Sequence, residues 1–156
     1  MTIEEKTDEI SGLVQEGSFS ATQLLPSITK VLDQLGYQSM TAIQAQVIDP
    51  ACAGQDVLGV SQTGSGKTAA FALPILDYLV RHRVSLASKQ VRALILAPTR
   101  ELAEQISKQF NTYGRHLGLR QTVVYGGVRY DRQLRDLKAG VDVLVATPGR
   151  LLDLYD

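Results

Sequence analysis

The sequence predicts an α/β fold in which a parallel sheet carries helices on both faces. Two observations predict it. Four short apolar runs, DVLGV (residues 56–60), RALILA (92–97), TVVY (122–125) and VDVLVA (141–146), alternate with stretches at helical spacing. Each run is continuously apolar instead of alternating in and out, the pattern of a strand buried on both faces, which places a parallel sheet between helix layers.

The elements follow in order. Residues 1–18 are polar, with Gly12 and Gly17, and read as a flexible extension before a domain over 19–156. Leu24, Leu25, Ile28, Val31, Leu32 and Leu35 keep helical spacing, and Gly36 ends that helix. Residues 41–49 form a second short helix, and Pro50 suits the start of a third. After the run at 56–60 come a helix from 67 to about 82, the strand at 92–97 and a helix from about 100 to 113. The strand at 122–125 and a helix from about 130 to 138, with Gly140 behind it, precede the strand at 141–146; a last helix begins at Arg150.

Composition bounds the function. The chain has 156 residues, of which 44% are hydrophobic and 21% charged, at zero formal net charge. That is enough for one domain with a core. There is no global basic field, so any nucleic-acid surface must be local and built partly from backbone groups. A single cysteine, Cys52, precludes an internal disulfide and reads as a small core residue in a reducing compartment. No apolar run reaches the roughly 20 residues that span a bilayer, and the acidic start MTIEEKTDEI lacks the apolar stretch of a signal peptide. The expectation is a cytoplasmic protein without a membrane segment.

The stretch TGSGKT (residues 63–68) follows an apolar run and opens a helix. Gly64 and Gly66 let backbone N–H groups turn inward around phosphate oxygens, and the helix N-terminus adds a positive dipole end. Lys67 reaches the outer phosphates, and the Thr68 hydroxyl is placed to ligate Mg²⁺. The strict phosphate-loop pattern has Gly where Ser61 stands. The competing reading is a Gly-rich turn with an incidental Lys-Thr pair; the apolar run before it and the helix after it favour nucleotide binding.

The base is read upstream, if at all. No Asp-x-x-Gly or Asn-Lys-x-Asp pattern of a GTPase follows the loop. In GYQSMTAIQ (36–44), the Gln44 amide offers the donor and acceptor that adenine N7 and N6 require. TAIQ is equally a Thr-x-x-Gln capping box, and spacing alone favours the cap.

Together these residues resemble the DEAD-box RNA helicases. Phe19, Gly36-Tyr37, Thr41 and Ile43-Gln44 are similar to that family's Q motif. SQTGSGKT matches motif I, PTRELA (98–103) motif Ia, Gly126-Gly127 the GG motif and TPGR (147–150) motif Ib, in family order from about residue 19 to 156. The departures are Ser61, where motif I usually begins with Ala, and Met40 and Ala42 at frequent proline positions.

The resemblance implies an incomplete RecA-like P-loop NTPase domain of an ATP-dependent RNA helicase. Gln44 would read adenine, Tyr37 would pack on the base and Phe19 would support it. Ser61, Gln62, Thr63, Gly64, Ser65 and Gly66 would wrap the ATP phosphates. Lys67 and Thr68 would be the catalytic pair, Thr68 serving Mg²⁺. Pro98, Thr99, Arg100, Gly126, Gly127, Thr147, Pro148, Gly149 and Arg150 would line an RNA backbone groove without reading sequence. Arg120, Arg129, Arg132 and Arg135 read as a solvated helix face and its flank.

The family's Asp-Glu-Ala-Asp motif does not occur in these residues, and no apolar strand ends in Asp or Glu: Asp142 precedes its apolar run and Asp77 lies in a helical pattern. The second RecA-like domain, with its arginine fingers, is not represented either. The expectation is that the chain holds ATP without turning it over, as a piece of a helicase or as a non-hydrolysing adenine-nucleotide and RNA-binding module. In the family's sheet the strand at 56–60 does not neighbour those at 92–97 and 141–146. A monomer would therefore leave unpaired backbone, which calls for rearrangement, a strand-swapped oligomer or a longer protein.

Overall fold

The computed structural model describes residues 17–128 and 130–155. The predicted extension at 1–18 lies almost wholly outside them, as do Arg129 and the side chain of Arg132. The chain divides into two compact units, one ending at Asp77 and one beginning at Tyr78.

The first unit is helical among its described residues. A 3-10 turn at Phe19–Ala21 precedes α1, Pro26–Gln34, and α2, Ala42–Cys52. Helix α3, Lys67–Arg81, begins in this unit and ends in the second. Pro26 opens α1, where its fixed φ and missing N–H cost nothing. The buried Asp77 carboxylate accepts from the Leu25 N–H at 2.7 Å, just ahead of that helix. Gly36 ends α1 at φ +81. Its N–H donates to Asp33 O, and the Tyr37 N–H reaches back to Leu32 O, both at 3.0 Å. This is a Schellman turn, and it fixes where Tyr37 leaves the helix. Gly54 repeats the device after α2: it donates to Ala51 O, and Gln55 donates to Pro50 O.

Three expectations are corrected here. Pro50 lies inside the last turn of α2 and starts no new helix; so near the end, its missing N–H forfeits a single helical bond. Cys52 is half-buried, not a core residue. Residues 56–60 form no strand. Val57, Leu58 and Val60 are exposed, Leu58 at 94%, while Gly59 lies against Ile43 and Val47 of α2. A strand exists only by pairing, and the described residues of this unit contain no strand to pair with.

The second unit holds the sheet: β1, Val91–Leu96, β2, Gln121–Val124, and β3, Val141–Ala146. It also holds α4, Arg100–Gly114, α5, Tyr130–Ala139, and α6, Pro148–Tyr155. The order is β1-β3-β2, all parallel, with Val91 opposite Val141 and Gln121 opposite Val143. Every residue of β3 is buried, as its unbroken apolar run requires. Helices cover both faces. The Gln121 side chain donates to Ser107 O on α4, and that of Thr122 donates to Asp136 on α5. Consecutive strand residues point to opposite faces, so α4 and α5 lie on opposite sides. Strand β1 departs from the sequence reading: Leu94 and Leu96 are exposed and Ile95 is buried. An edge strand with one open face alternates, and a continuous apolar run does not reveal that.

Helix α6 begins at Pro148, two residues before the expected Arg150, because Pro is favoured in the first turn. Gly140 ends α5 at φ +78, and a Cβ there would stand 2.4 Å from Ala87 O. Gly140→Ala is therefore expected to destabilise by about 2 kcal/mol or more. Gly118→Ala, at φ +65 but with nothing nearer than 3.7 Å, should cost about 1–2 kcal/mol. Urea midpoints from circular dichroism should fall in that order; equal midpoints would show that the contact with Ala87 is relieved.

Candidate functional site

The loop that precedes α3 is held by its own side chains. Gly64 and Gly66 have φ of +80 and +87, the left-handed region that only glycine enters at no cost. The Lys67 Nζ donates to Ser61 O at 2.5 Å and Gln62 O at 2.6 Å. The Ser61 and Ser65 hydroxyls bond across the loop at 2.6 Å. The hydroxyl that distinguishes Ser61 from the usual Ala thus closes the turn. Thr63 is exposed, and Thr68 is half-buried in the first turn of α3.

Gln44 joins this loop to α2. It is 4% exposed. Its Oε1 accepts from the Thr41 N–H at 3.0 Å, the glutamine half of a capping box. Its Nε2 donates to Gly66 O at 3.2 Å. The cap and the loop contact are made by one amide together, an outcome that spacing could not show. Oε1 retains a lone pair and Nε2 a hydrogen for a further partner. A Cβ on Gly66 would meet Gln44 Nε2 at 2.4 Å, so residue 66 has to be glycine for the bridge to form. Phe19 is fully buried, and Tyr37 is 42% exposed behind the Schellman turn. All these residues belong to the first unit.

The other predicted residues belong to the second unit. In a parallel sheet every strand leaves at the same edge. Pro98, Thr99 and Arg100 follow β1, Gly126 and Gly127 follow β2, and Thr147, Pro148, Gly149 and Arg150 follow β3. The ladder continues one step past the strands: Ala97 N–H donates to Ala146 O at 2.9 Å, and Thr147 N–H to Val124 O at 3.0 Å. Three turns are thereby locked side by side. The Thr99 hydroxyl accepts from the Leu102 N–H at 3.2 Å and caps α4. Pro98, Thr99, Arg100, Gly126, Gly127, Pro148 and Gly149 are exposed; Thr147 is half-buried.

The two arginines differ. Arg100 is exposed, its guanidinium carbon 4.7 Å from the centre of the Tyr125 ring, with Nε 3.6 Å from Glu104. Arg150 is buried. Its Nη1 donates to Gln133 Oε1 at 3.0 Å and to Val128 O at 3.3 Å, and Nε lies 3.8 Å from Asp153. Arg150 therefore ties α6 to α5 and to the turn after β2. Gln133 completes the link by donating to Tyr125 O at 3.2 Å.

Tyr125, Glu104 and Gln133 were not singled out by the sequence, because none lies in a motif. The Tyr125 hydroxyl donates to Glu104 Oε1 at 2.5 Å. That bond, with the Arg100 charge, holds the Glu104 carboxyl below its ordinary range. The same bond, burial and the Glu104 charge push the Tyr125 phenol up. Glu104 contributes stability above the ordinary carboxylate pKa and loses it as pH falls through its lowered value. Tyr125 contributes below about pH 10 and loses it as pH rises through its raised value. Carboxyl NMR titration should place Glu104 below an ordinary glutamate, and Tyr125→Phe should move it upward; no movement would show that the phenol does not act on it.

A parallel sheet with these exits, in a chain whose Gly-rich loop opens a helix at Lys-Thr, defines the RecA-like class of P-loop proteins. A profile of the DEAD/DEAH box helicase family matches residues 41–156, most of the chain. The chain belongs to that family. It is similar to the ATP-dependent RNA helicase DeaD of Mycobacterium tuberculosis, 43% identical over 93% of this chain and 25% of that protein. It is 48% identical to the ATP-dependent RNA helicase RhlB of Xanthomonas oryzae, over 87% of this chain and 24% of that protein. A crystal structure of a DEAD box protein from Methanococcus jannaschii superposes at a TM-score of 0.77, with 31% identity over 90% of this chain and 37% of the other. The chain thus spans about a quarter of the length of the curated relatives it matches. Among the described residues no helix is long and apolar enough to cross a membrane.

Proposed function

We propose that this chain is the adenine-nucleotide-binding part, with a share of the RNA surface, of an ATP-dependent RNA helicase of the cytoplasm. The observation that carries the reading is the Gln44 bridge. One buried amide, with a donor and an acceptor still available, is fixed to Gly66 of the phosphate loop. That couples a base reader to the phosphates at a set spacing.

The residues fit a nucleoside triphosphate with Mg²⁺. Glycines at positive φ, a lysine ammonium, loop amides and the Thr68 hydroxyl make a donor set for phosphate oxygens and a metal ion. Lys67 would exchange its bonds to Ser61 and Gln62 for the outer phosphates. Thr68 would hold Mg²⁺, which when bound offsets phosphate charge. Tyr37 would cover the base over the buried Phe19. Asp-Glu-Ala-Asp does not occur in these 156 residues, so by themselves they would bind ATP without hydrolysing it.

The exits of β1, β2 and β3 would follow an RNA backbone. Arg100 would fork a phosphate, Thr99, Gly126, Gly127 and Thr147 would approach it closely, and Arg150 would act by holding the turns in place. Residues 56–60 would gain their ladder from the rest of a full-length helicase. Slow amide exchange at Leu58 and Val60 in a longer chain containing Asp-Glu-Ala-Asp, and fast exchange here, is the expected result; fast exchange in both would refute it.

Calorimetry with Mg²⁺ tests the central claim. ADP and ATP should bind and GDP should not. Lys67→Ala should weaken ADP at least about tenfold. Gln44→Glu keeps an acceptor for the Thr41 N–H and removes the amide donor, so it should narrow the ADP–GDP difference. Equal binding of ADP and GDP by the unaltered chain would refute the adenine reading.

A further inference from the structure

The edge of the sheet opposite the strand exits carries a basic cleft that the reading above does not use. Its volume is about 350 Å³, and its lining includes Arg83, Ser85, Arg92, Gly118, Arg120 and Asp142, all in the second unit. The floor is a buried ion pair: Arg92 Nη1 donates to Asp142 Oδ1 at 2.7 Å, with both side chains less than a tenth exposed. The other oxygen of Asp142 accepts from the Arg120 N–H at 2.8 Å. The one carboxylate of the lining is thus engaged on both sides.

The guanidinium groups are also anchored. Arg92 Nη2 donates to the carbonyls of Leu79 and His82 at the end of α3. Arg83 Nη2 donates to Leu117 O, beyond α4, and Arg120 Nη1 to Ala139 O, the end of α5, at 3.2 Å. The βα order explains the convergence, since helices covering a parallel sheet all end at this edge and bring their negative ends together. The arginines more than offset them. With one carboxylate and three helix ends of about half a charge each, the three cations leave the cleft positive by about half a charge.

Arg83 and Arg120 are exposed, and each guanidinium has five N–H groups. Gly118 shares the lining, its place for a Cβ 3.7 Å from Arg83 Nη1. We propose that this cleft binds a phosphate-class oxyanion, held by the outward N–H groups of Arg83 and Arg120 over the fixed Arg92–Asp142 floor. A guanidinium fork matches phosphate oxygens in pairs. Two guanidinium forks at one cleft suit pyrophosphate, with its two phosphoryl groups, better than a monophosphate. Free phosphate and the phosphate of a nucleic-acid backbone share this chemistry.

The test is an NMR titration of the ¹⁵N-labelled full chain with inorganic phosphate, pyrophosphate and a short single-stranded RNA, following the amides of Gly118, Arg120 and Asp142. These should shift with pyrophosphate at lower concentration than with phosphate. Lys67→Ala, which alters the phosphate loop, should leave the response unchanged. The double variant Arg83→Ala/Arg120→Ala should weaken it about tenfold or more. Arg83→Lys, which keeps the charge and loses the fork, should fall between and stands in should the double variant lose its β3 amide pattern. A stronger response to RNA than to pyrophosphate assigns the source to a nucleic-acid backbone, and the reverse to free phosphate; both support the site. No shift of these amides at millimolar pyrophosphate, or a shift undiminished in every arginine variant, overturns the proposal.

Discussion

The second unit depends on β3 having a parallel neighbour on each side. Its register against β1 and β2 sets where both leave the sheet, and two backbone bonds beyond the strands carry that register into the turns. A one-residue slip would reverse every side chain of β3, a strand whose residues are all buried. With both faces buried the apolar run alone does not fix the register; the Asp142 bonds to Arg92 and to the Arg120 N–H hold β3 against its neighbours, and the register brings the three turns together.

The same parallelism gives the sheet two unlike ends. Helices begin where strands finish, so one edge collects helix N-termini and exposed glycines, and the other collects helix C-termini. The sequence answers with arginine at the second edge. Arg83, Arg92 and Arg120 each bond carbonyls near a helix end, and Asp142 holds Arg92 and the Arg120 backbone in place. Arg120 reads in sequence as a solvated side chain; its bond to Ala139 O shows that it is also structural.

How much was legible follows from range. Helices α1, α4 and α5 and the three strands were readable from spacing, and Gly36 and Gly140 as helix ends from chemistry, since each is decided within a few residues. The run at 56–60 was not, because a strand needs partners that the local pattern does not contain. The motif letters located the Gly-rich loop before α3 and the three turns. They could not show that Gln44 caps a helix and bridges the loop at once, or that Arg150 points inward while Arg100 points out. Orientation is set by neighbours distant in sequence, such as Gln133 for Arg150 and Tyr125 for Arg100.

The exposed run at 56–60 has a consequence for the behaviour of the chain in solution. Val57, Leu58 and Val60 present apolar side chains on backbone that no ladder occupies. A short, uncharged, β-prone segment of that kind is a template for cross-β growth, and only Asp56 before it and Gly59 within it act as gatekeepers. Association through this segment needs no prior unfolding, because it is already open in the folded protein.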